Sequence, residues 1–194
     1  MASADKIVRK IDSPPDLTTV EPAGFTPPQQ PGDPVEFVMD LTAESLDGAL
    51  KRATVKPNLP GWGAFEILCD EGPSIGGSDS APAPLAYLSA GIAFCMLTHL
   101  NFYIETHELN VDNLRIEQRL RFTTNERTRR PSDPPASGCL GIEMHLVIDS
   151  NAPEDAAREL AETARALCMA HQAILSPTPS VFDVRLNGTV LEVA

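Results

Sequence analysis

The sequence predicts an α+β fold with largely antiparallel sheets, and three observations carry that expectation. Runs in which apolar and polar residues alternate, the mark of half-buried strands, come in groups separated by two helical stretches. Residues 81–107 form one long run that is apolar on nearly every side, with Pro84 placed where a first helical turn tolerates it. Near the C-terminus Asn187-Gly188 joins two short apolar runs, a strong hairpin signal. The predicted element order is β-β-β-α-β-β-α-β-β.

Residues 1–34 hold seven prolines (Pro14, Pro15, Pro22, Pro27, Pro28, Pro31 and Pro34) and little apolar periodicity. They read as an extended arm draped on a surface, ahead of a domain over residues 35–194. Val35, Phe37, Met39 and Leu41 alternate and predict a first strand over 35–41. Residues 48–56 are a weaker strand. Ala64–Cys69 predicts a third, with Phe65, Ile67 and Cys69 on its inward face. The glycines, prolines and short polar residues of 70–84 predict an irregular loop feeding the long helix.

That helix, apolar all round, is expected to be buried in a soluble core rather than in lipid, because Pro82, Pro84, His99 and Asn101 crowd its ends. Beyond it, Leu114, Ile116, Leu120 and Phe122 alternate with charged residues, and Leu140 to Ile148 alternate in the same way. The polar, Pro-rich stretch between them predicts a long hairpin loop whose cluster Arg127, Arg129 and Arg130 is solvated. A second helix is expected from Asn151 as cap, through Pro153, Glu154 and Asp155 in the first turn, to a stop at Pro177. Its apolar face carries Leu160, Ala164, Leu167, Cys168, His171, Ile174 and Leu175. Strands over 181–186 and 189–193 close the chain.

Hydrophobic content is 42%, charged content 22% and formal net charge −12, so the chain suits a globular domain and would be repelled by nucleic acid and by an anionic membrane surface. The N-terminus lacks the apolar segment of a secretory signal, and a cytoplasmic location is expected. In that compartment the four cysteines, at 69, 95, 139 and 168, do not suggest a disulfide scaffold.

Each predicted helix carries one cysteine in its apolar stretch. If the helices pack together, Cys95 and Cys168 could meet. A thiol pair reduces a hydroperoxide without a cofactor: one thiolate takes an oxygen and becomes a sulfenic acid, and the second thiol condenses with it to a disulfide. The pair must close within about 7 Å between Cα atoms, and a cation must favour the thiolate in an apolar setting. Two packed core thiols are the plainer reading of the same residues. A third reading uses spacing: His99 lies four after Cys95 and His171 three after Cys168, so Cys95, His99, Cys168 and His171 could form a Cys2His2 zinc set, or either histidine could assist a thiol. Cys69 and Cys139 read as structural. Leu85, Tyr87, Phe94 and Leu97 read as core, with the lining of an apolar substrate pocket as a second use.

The run CDEGPSIGGSDSAPAPLAYLSAGIAFCMLTHL resembles the OsmC/Ohr family signature, an acidic, Gly-rich loop followed by a Pro-started apolar helix holding the first cysteine. ARELAETARALCMAH resembles the second-cysteine helix, and the resemblance covers roughly residues 47–194. It implies an OsmC-like fold with antiparallel sheets around two central helices, and an intertwined homodimer with its sites at the subunit interface. It also implies thiol-dependent reduction of small hydroperoxides, with a dithiol as reductant and no cofactor. By position Cys95 is the attacking thiol and Cys168 the resolving one, and Arg52 is the nearest match to the family's activating arginine. The chain departs from the pattern after Pro84, where Leu85, Ala86 and Tyr87 stand in place of the family's glutamate, and after Cys168, where Met169 replaces proline. These departures leave open a non-catalytic ligand- or metal-binding protein on the same scaffold.

Overall fold

The computed structural model describes residues 6–124 and 137–191. Within these, eight strands and three α-helices run in the order β1 (Val8–Ile11), β2 (Met39–Ser45), β3 (Lys51–Pro57), β4 (Ala64–Cys69), α1 (Pro84–Thr106), β5 (Val111–Thr123), β6 (Gly138–Ser150), α2 (Glu154–Leu167), α3 (Met169–Leu175), β7 (Val184–Leu186) and β8 (Thr189–Leu191). All pairings are antiparallel, as the α+β prediction requires. Arg127, Arg129, Arg130 and Val193 lie outside the described residues. The chain divides into two compact units, Met1–Leu88 and Ser89–Ala194.

The first unit is built on a four-stranded sheet of order β1-β4-β3-β2. The arm expected over 1–34 supplies β1, which pairs along β4 from Val8↔Ile67 to Ile11↔Ala64. Farther along, Lys56 Nζ lies 3.2 Å from Asp16 Oδ1, and Asn58 Nδ2 donates to the Ala23 carbonyl at 3.4 Å, so the Pro-rich segment is tied to the end of β3. The strand expected over 35–41 forms later, at Met39–Ser45, where its residues match β3 one for one. On β4 the expected face is reversed at the start: Ala64 is buried and Phe65 is 42% exposed.

The loop after β4 is organised by one buried carboxylate. Asp70 is 1% exposed and accepts hydrogen bonds from the backbone N–H of Glu71, Ser78 and Ser80 and from the hydroxyls of Ser78 and Ser80, at 2.7–3.1 Å. These donors hold its carboxyl well below the usual carboxylate range, with the Ser80 N–H and hydroxyl contributing most. Gly77 is required in the same loop, because a Cβ there would sit 1.9 Å from the Glu71 carbonyl oxygen.

In the second unit β5 and β6 form a long hairpin with Leu114↔Ile148, Ile116↔Leu146 and Gln118↔Met144 in register. Their apolar face packs on a core of Met96, Leu100, Leu160, Ala164 and Cys168. The expectation that α1 is buried on all sides does not hold within this chain. Its buried side chains are Ile92, Met96 and Leu100, one stripe at helical spacing, while Phe94 and Phe102 are 67% and 71% exposed. By length and composition alone α1 is apolar enough to cross a bilayer, but its buried stripe packs against α2 and β5–β6 as in a globular core.

The second helix also differs from expectation. Asn151 does not cap it; Pro153 occupies that place without a side-chain cap, and the acidic Glu154 and Asp155 fill the first turn. The helix is interrupted at Cys168, whose ψ of 99° is extended, and resumes as α3. Leu167, ahead of the break, and Leu175, beyond it, are each 55% exposed, while Leu160, Ala164 and Cys168 keep the buried register. At the end of the chain Asn187 and Gly188 both take positive φ, 51° and 84°, the primed turn that matches strand twist.

Candidate functional site

The two helix cysteines border one core. Cys95 lies on α1 beside Met96, and Cys168 stands at the junction of α2 and α3, fully buried. Both thiols are free, and Cys95 packs against the core cluster that contains Cys168. The physical cause is simple: Cys95 and Met96 follow one another on α1, Ala164 and Cys168 are one turn apart on the facing segment, and all of them border the same core.

Cys168 sits in the more apolar position. Burial pushes its thiol up, the neighbouring Cys95 sulfur pushes it further, and the N–H groups of His171 and Ala170 oppose the rise without forming a side-chain cap. The Cys168 S–H donates to the Ile92 carbonyl at 3.9 Å. Such an arrangement suits a thiol that keeps its proton until a partner sulfur needs it.

The zinc set anticipated from spacing does not assemble. Cys95 and Cys168 are together, but among the described residues no group of three or more His, Cys, Asp or Glu side chains converges to hold a metal ion. His99 and His171 are instead half-buried, and each hides one ring nitrogen without a hydrogen-bond partner: Nε2 of His99 and Nδ1 of His171. Gln118 shares this condition at Oε1, while its Nε2 donates to the Ser89 carbonyl at 2.6 Å. An unpaired buried polar atom costs about 1–3 kcal/mol, so three in one unit call for an explanation.

Arg52 lies on β3 in the first unit, in a carboxylate fork. Its Nε donates to Glu44 Oε1 at 2.8 Å, Nη2 meets the same oxygen, and Glu66 Oε2 stands 3.9 Å away. Hydrogen bonding and attraction to Glu44 raise its pKa further above its ordinary value. Arg9 engages Glu66 in turn, Nε to Oε1 at 2.7 Å. The four residues line an open hollow of about 540 Å³ with Ile11, Thr42 and Thr54. Glu44 was not singled out in the sequence, and its only signal is register: it stands directly opposite Arg52 in the β2–β3 ladder. Of the residues considered as pocket lining, Leu85 is 48% exposed and Phe94 67%, and the Tyr87 hydroxyl donates to the Leu68 carbonyl.

A family model described as OsmC-like protein matches residues 77–182. No protein of curated function matches the chain. Among solved structures, an OsmC-like hydroperoxide resistance protein from Jannaschia sp. CCS1 aligns with a TM-score of 0.51 at 21% identity, covering 81% of this chain and 99% of that one. An OsmC-like protein from Mycoplasma pneumoniae aligns at 0.48 and 21%, covering 71% and 87% of the two chains. An organic hydroperoxide resistance protein from Legionella pneumophila aligns at 0.48 and 14%, covering 71% and 88%.

Proposed function

The chain belongs to the OsmC-like protein family, and on that footing we propose that it is a thiol-dependent hydroperoxide reductase working through Cys95 and Cys168. The observation that supports the reading is that Cys95 packs against the buried cluster containing Cys168. Cys95, as thiolate, attacks the outer oxygen of a small hydroperoxide. A sulfur–oxygen bond forms, the O–O bond breaks, and the alcohol leaves. Cys168 then attacks the sulfenic sulfur, water leaves, and the disulfide is returned to two thiols by an external dithiol. No cofactor enters this cycle.

Two further elements belong to the proposal. Arg52 is assigned the role of activating cation on the family resemblance alone, and within its own unit it is held by Glu44 and Glu66. The protein works as a homodimer, which is supported by the large apolar side chains that α1 leaves in solvent, Phe94 and Phe102 foremost. In a dimer that surface would be covered.

Steady-state peroxide loss with an alkyl hydroperoxide and excess dithiol tests the reading. Wild-type protein is expected to turn over, and Cys95→Ser to lose about 10³-fold or more, as removal of an attacking nucleophile does. Wild-type turnover by Cys95→Ser, or no turnover by either protein, would overturn it.

A further inference from the structure

We propose that the hollow between the Pro-rich arm and the end of β3 binds a small organic cation, an ammonium group carried on an apolar body. Every residue concerned belongs to the first unit, and neither Cys95 nor Cys168 takes part.

The hollow is preformed. Its volume is about 380 Å³, within the range of small-molecule sites, and its lining includes Pro57, which is buried at the end of β3. The arm supplies the opposite wall and is tied down at two points along it. Lys56 Nζ lies 3.2 Å from Asp16 Oδ1, and Asn58 Nδ2 donates to the Ala23 carbonyl at 3.4 Å. Asn58 is itself held, because its Oδ1 accepts from the Val38 N–H at 2.9 Å and its own N–H donates to the Val38 carbonyl at 3.0 Å. Walls fixed in advance leave little to be ordered when a ligand enters.

An aromatic face is available in the lining. Trp62, the single tryptophan of the chain, borders the hollow and is 67% exposed. A tight turn sets its position: the Trp62 N–H donates to the Leu59 carbonyl at 3.2 Å, and Gly61 takes a φ of 80°. Val20, 56% exposed, and half-buried Phe25 line the same hollow. These side chains offer cover to an apolar body, and an indole attracts a cation more strongly than any other side-chain ring.

Charge decides the sign of the ligand. Three carboxylates, Asp16, Glu21 and Asp40, line the hollow against one ammonium, Lys56. Lys56 stands opposite Asp40 in the β2–β3 ladder, yet its Nζ goes to Asp16. Glu21 and Asp40 are left as uncompensated negative charge. An anion would be repelled by both and by the net charge of −12 that the chain carries. A bare metal ion does not fit, because among the described residues no three carboxylate, thiol or imidazole groups converge to hold one. Carboxylates spread around an apolar hollow suit a cation large enough to reach the ring and the charges together.

Because Trp62 is the single tryptophan, its fluorescence reports on this hollow alone. The full chain is titrated at low ionic strength and pH 7 with 2-phenylethylammonium, with the neutral 2-phenylethanol and with the anionic 3-phenylpropanoate. The ammonium is expected to give a saturable change and to bind about 10-fold more tightly than the alcohol, and the carboxylate to give none. Glu21 is exposed and Asp40 half-buried, so a chain carrying both Glu21→Gln and Asp40→Asn should fold and should lose the preference for ammonium over alcohol. Salt at about 0.5 M should shrink the same preference in the unsubstituted chain. Equal affinity for ammonium and alcohol would overturn the site, as would a preference unchanged by the double substitution or by salt, or no saturable response to the ammonium. A lysine-rich peptide that binds where 2-phenylethylammonium does not would assign the hollow to a protein partner and overturn the small-ligand site as well.

Discussion

Cys168 belongs to a core cluster with Met96, Leu100, Leu160 and Ala164, and Cys95 packs against that same cluster from α1. Two free thiols bordering one core, one fully buried and one half-buried, are candidates for a disulfide. One equivalent of hydroperoxide is therefore expected to convert the reduced protein to a form lighter by two hydrogens, with peptide mapping linking Cys95 to Cys168. In Cys168→Ala the same treatment should yield a Cys95 sulfenic acid that excess oxidant carries on to the sulfinic level. A link from Cys95 to Cys69 or Cys139 would contradict the assignment.

Arg52 gives a graded prediction. Glu44 supplies its close contacts and Glu66 stands 3.9 Å away, so removing the arginine and removing its main partner are different injuries. Arg52→Met is expected to lower kcat/KM for an alkyl hydroperoxide about 10²-fold, the usual cost of losing an oriented charge. Glu44→Gln keeps a hydrogen-bond acceptor and leaves Glu66 in place, and about 10-fold is expected. Stopped-flow rates of sulfenic acid formation check both, and equal losses for the two variants would argue against a positioning role for Glu44.

Much of this was legible in the chain. Alternation fixed β5 and β6, the Gly-rich loop led into α1 at Pro84, and Asn187-Gly188 turned where hairpin physics requires. That Cys95 and Cys168 border one core followed from two apolar stripes needing a common interior. Other features had no local signal. Nothing in Leu167-Cys168-Met169 breaks a helix, and the interruption there accompanies burial of Cys168. Val8–Ile11 sets two adjacent basic residues between two apolar ones, a run with no alternation to announce a strand, and it forms one because β4 offers an open edge. The Cys2His2 set failed because i,i+4 and i,i+3 spacing fixes only which face a residue occupies, not whether four donors converge.

Asp70 predicts an acid-sensitive loop. Its five donors favour the carboxylate, so its folded pKa lies below the unfolded value of about 3.9. The unfolded chain binds the proton first. The stabilisation is thus fully present above about pH 4 and is lost as pH falls from there toward the folded pKa. Asp70→Asn should lower the melting temperature at pH 7 and flatten its dependence on pH below 4, measured by circular dichroism from pH 2.5 to 7. Gly77→Ala should also lower the neutral-pH value, by forcing the Glu71 carbonyl aside, but should leave the acid slope in place wherever Asp70 keeps its donors.

Phe94 and Phe102 stand two helical turns apart on α1, which gives them a common direction, and both are more than two-thirds exposed in the single chain. Aromatic side chains of that size on an apolar helix are suited to a subunit interface. Light scattering is expected to report a dimer at micromolar concentration. Phe94→Asp should weaken it about 30-fold, the size of a hot-spot loss, and make the melting temperature more dependent on protein concentration. A wild-type monomer at high micromolar concentration would refute the dimer.

The core under the thiol pair can be separated from the surface of the same helix. Leu160 is 1% exposed and contacts the cluster that includes Cys168, whereas Leu167, on the same helix, is 55% exposed. Truncating a buried leucine removes its transfer energy and leaves a cavity that the neighbours fill only in part. Leu160→Ala is therefore expected to cost about 2–5 kcal/mol in urea unfolding of reduced protein. Leu167→Ala, if its exposure persists in the working assembly, should stay within about 1 kcal/mol of wild type. A large cost for Leu167→Ala that shrinks on dilution would place that leucine at a subunit contact, because only an interface makes a surface truncation depend on protein concentration. Leu160→Ala should also widen the spread of Cys95–Cys168 geometries, so slower disulfide closure after sulfenic acid formation is expected beside its lower stability, measured by the rate at which the dimedone-reactive species disappears.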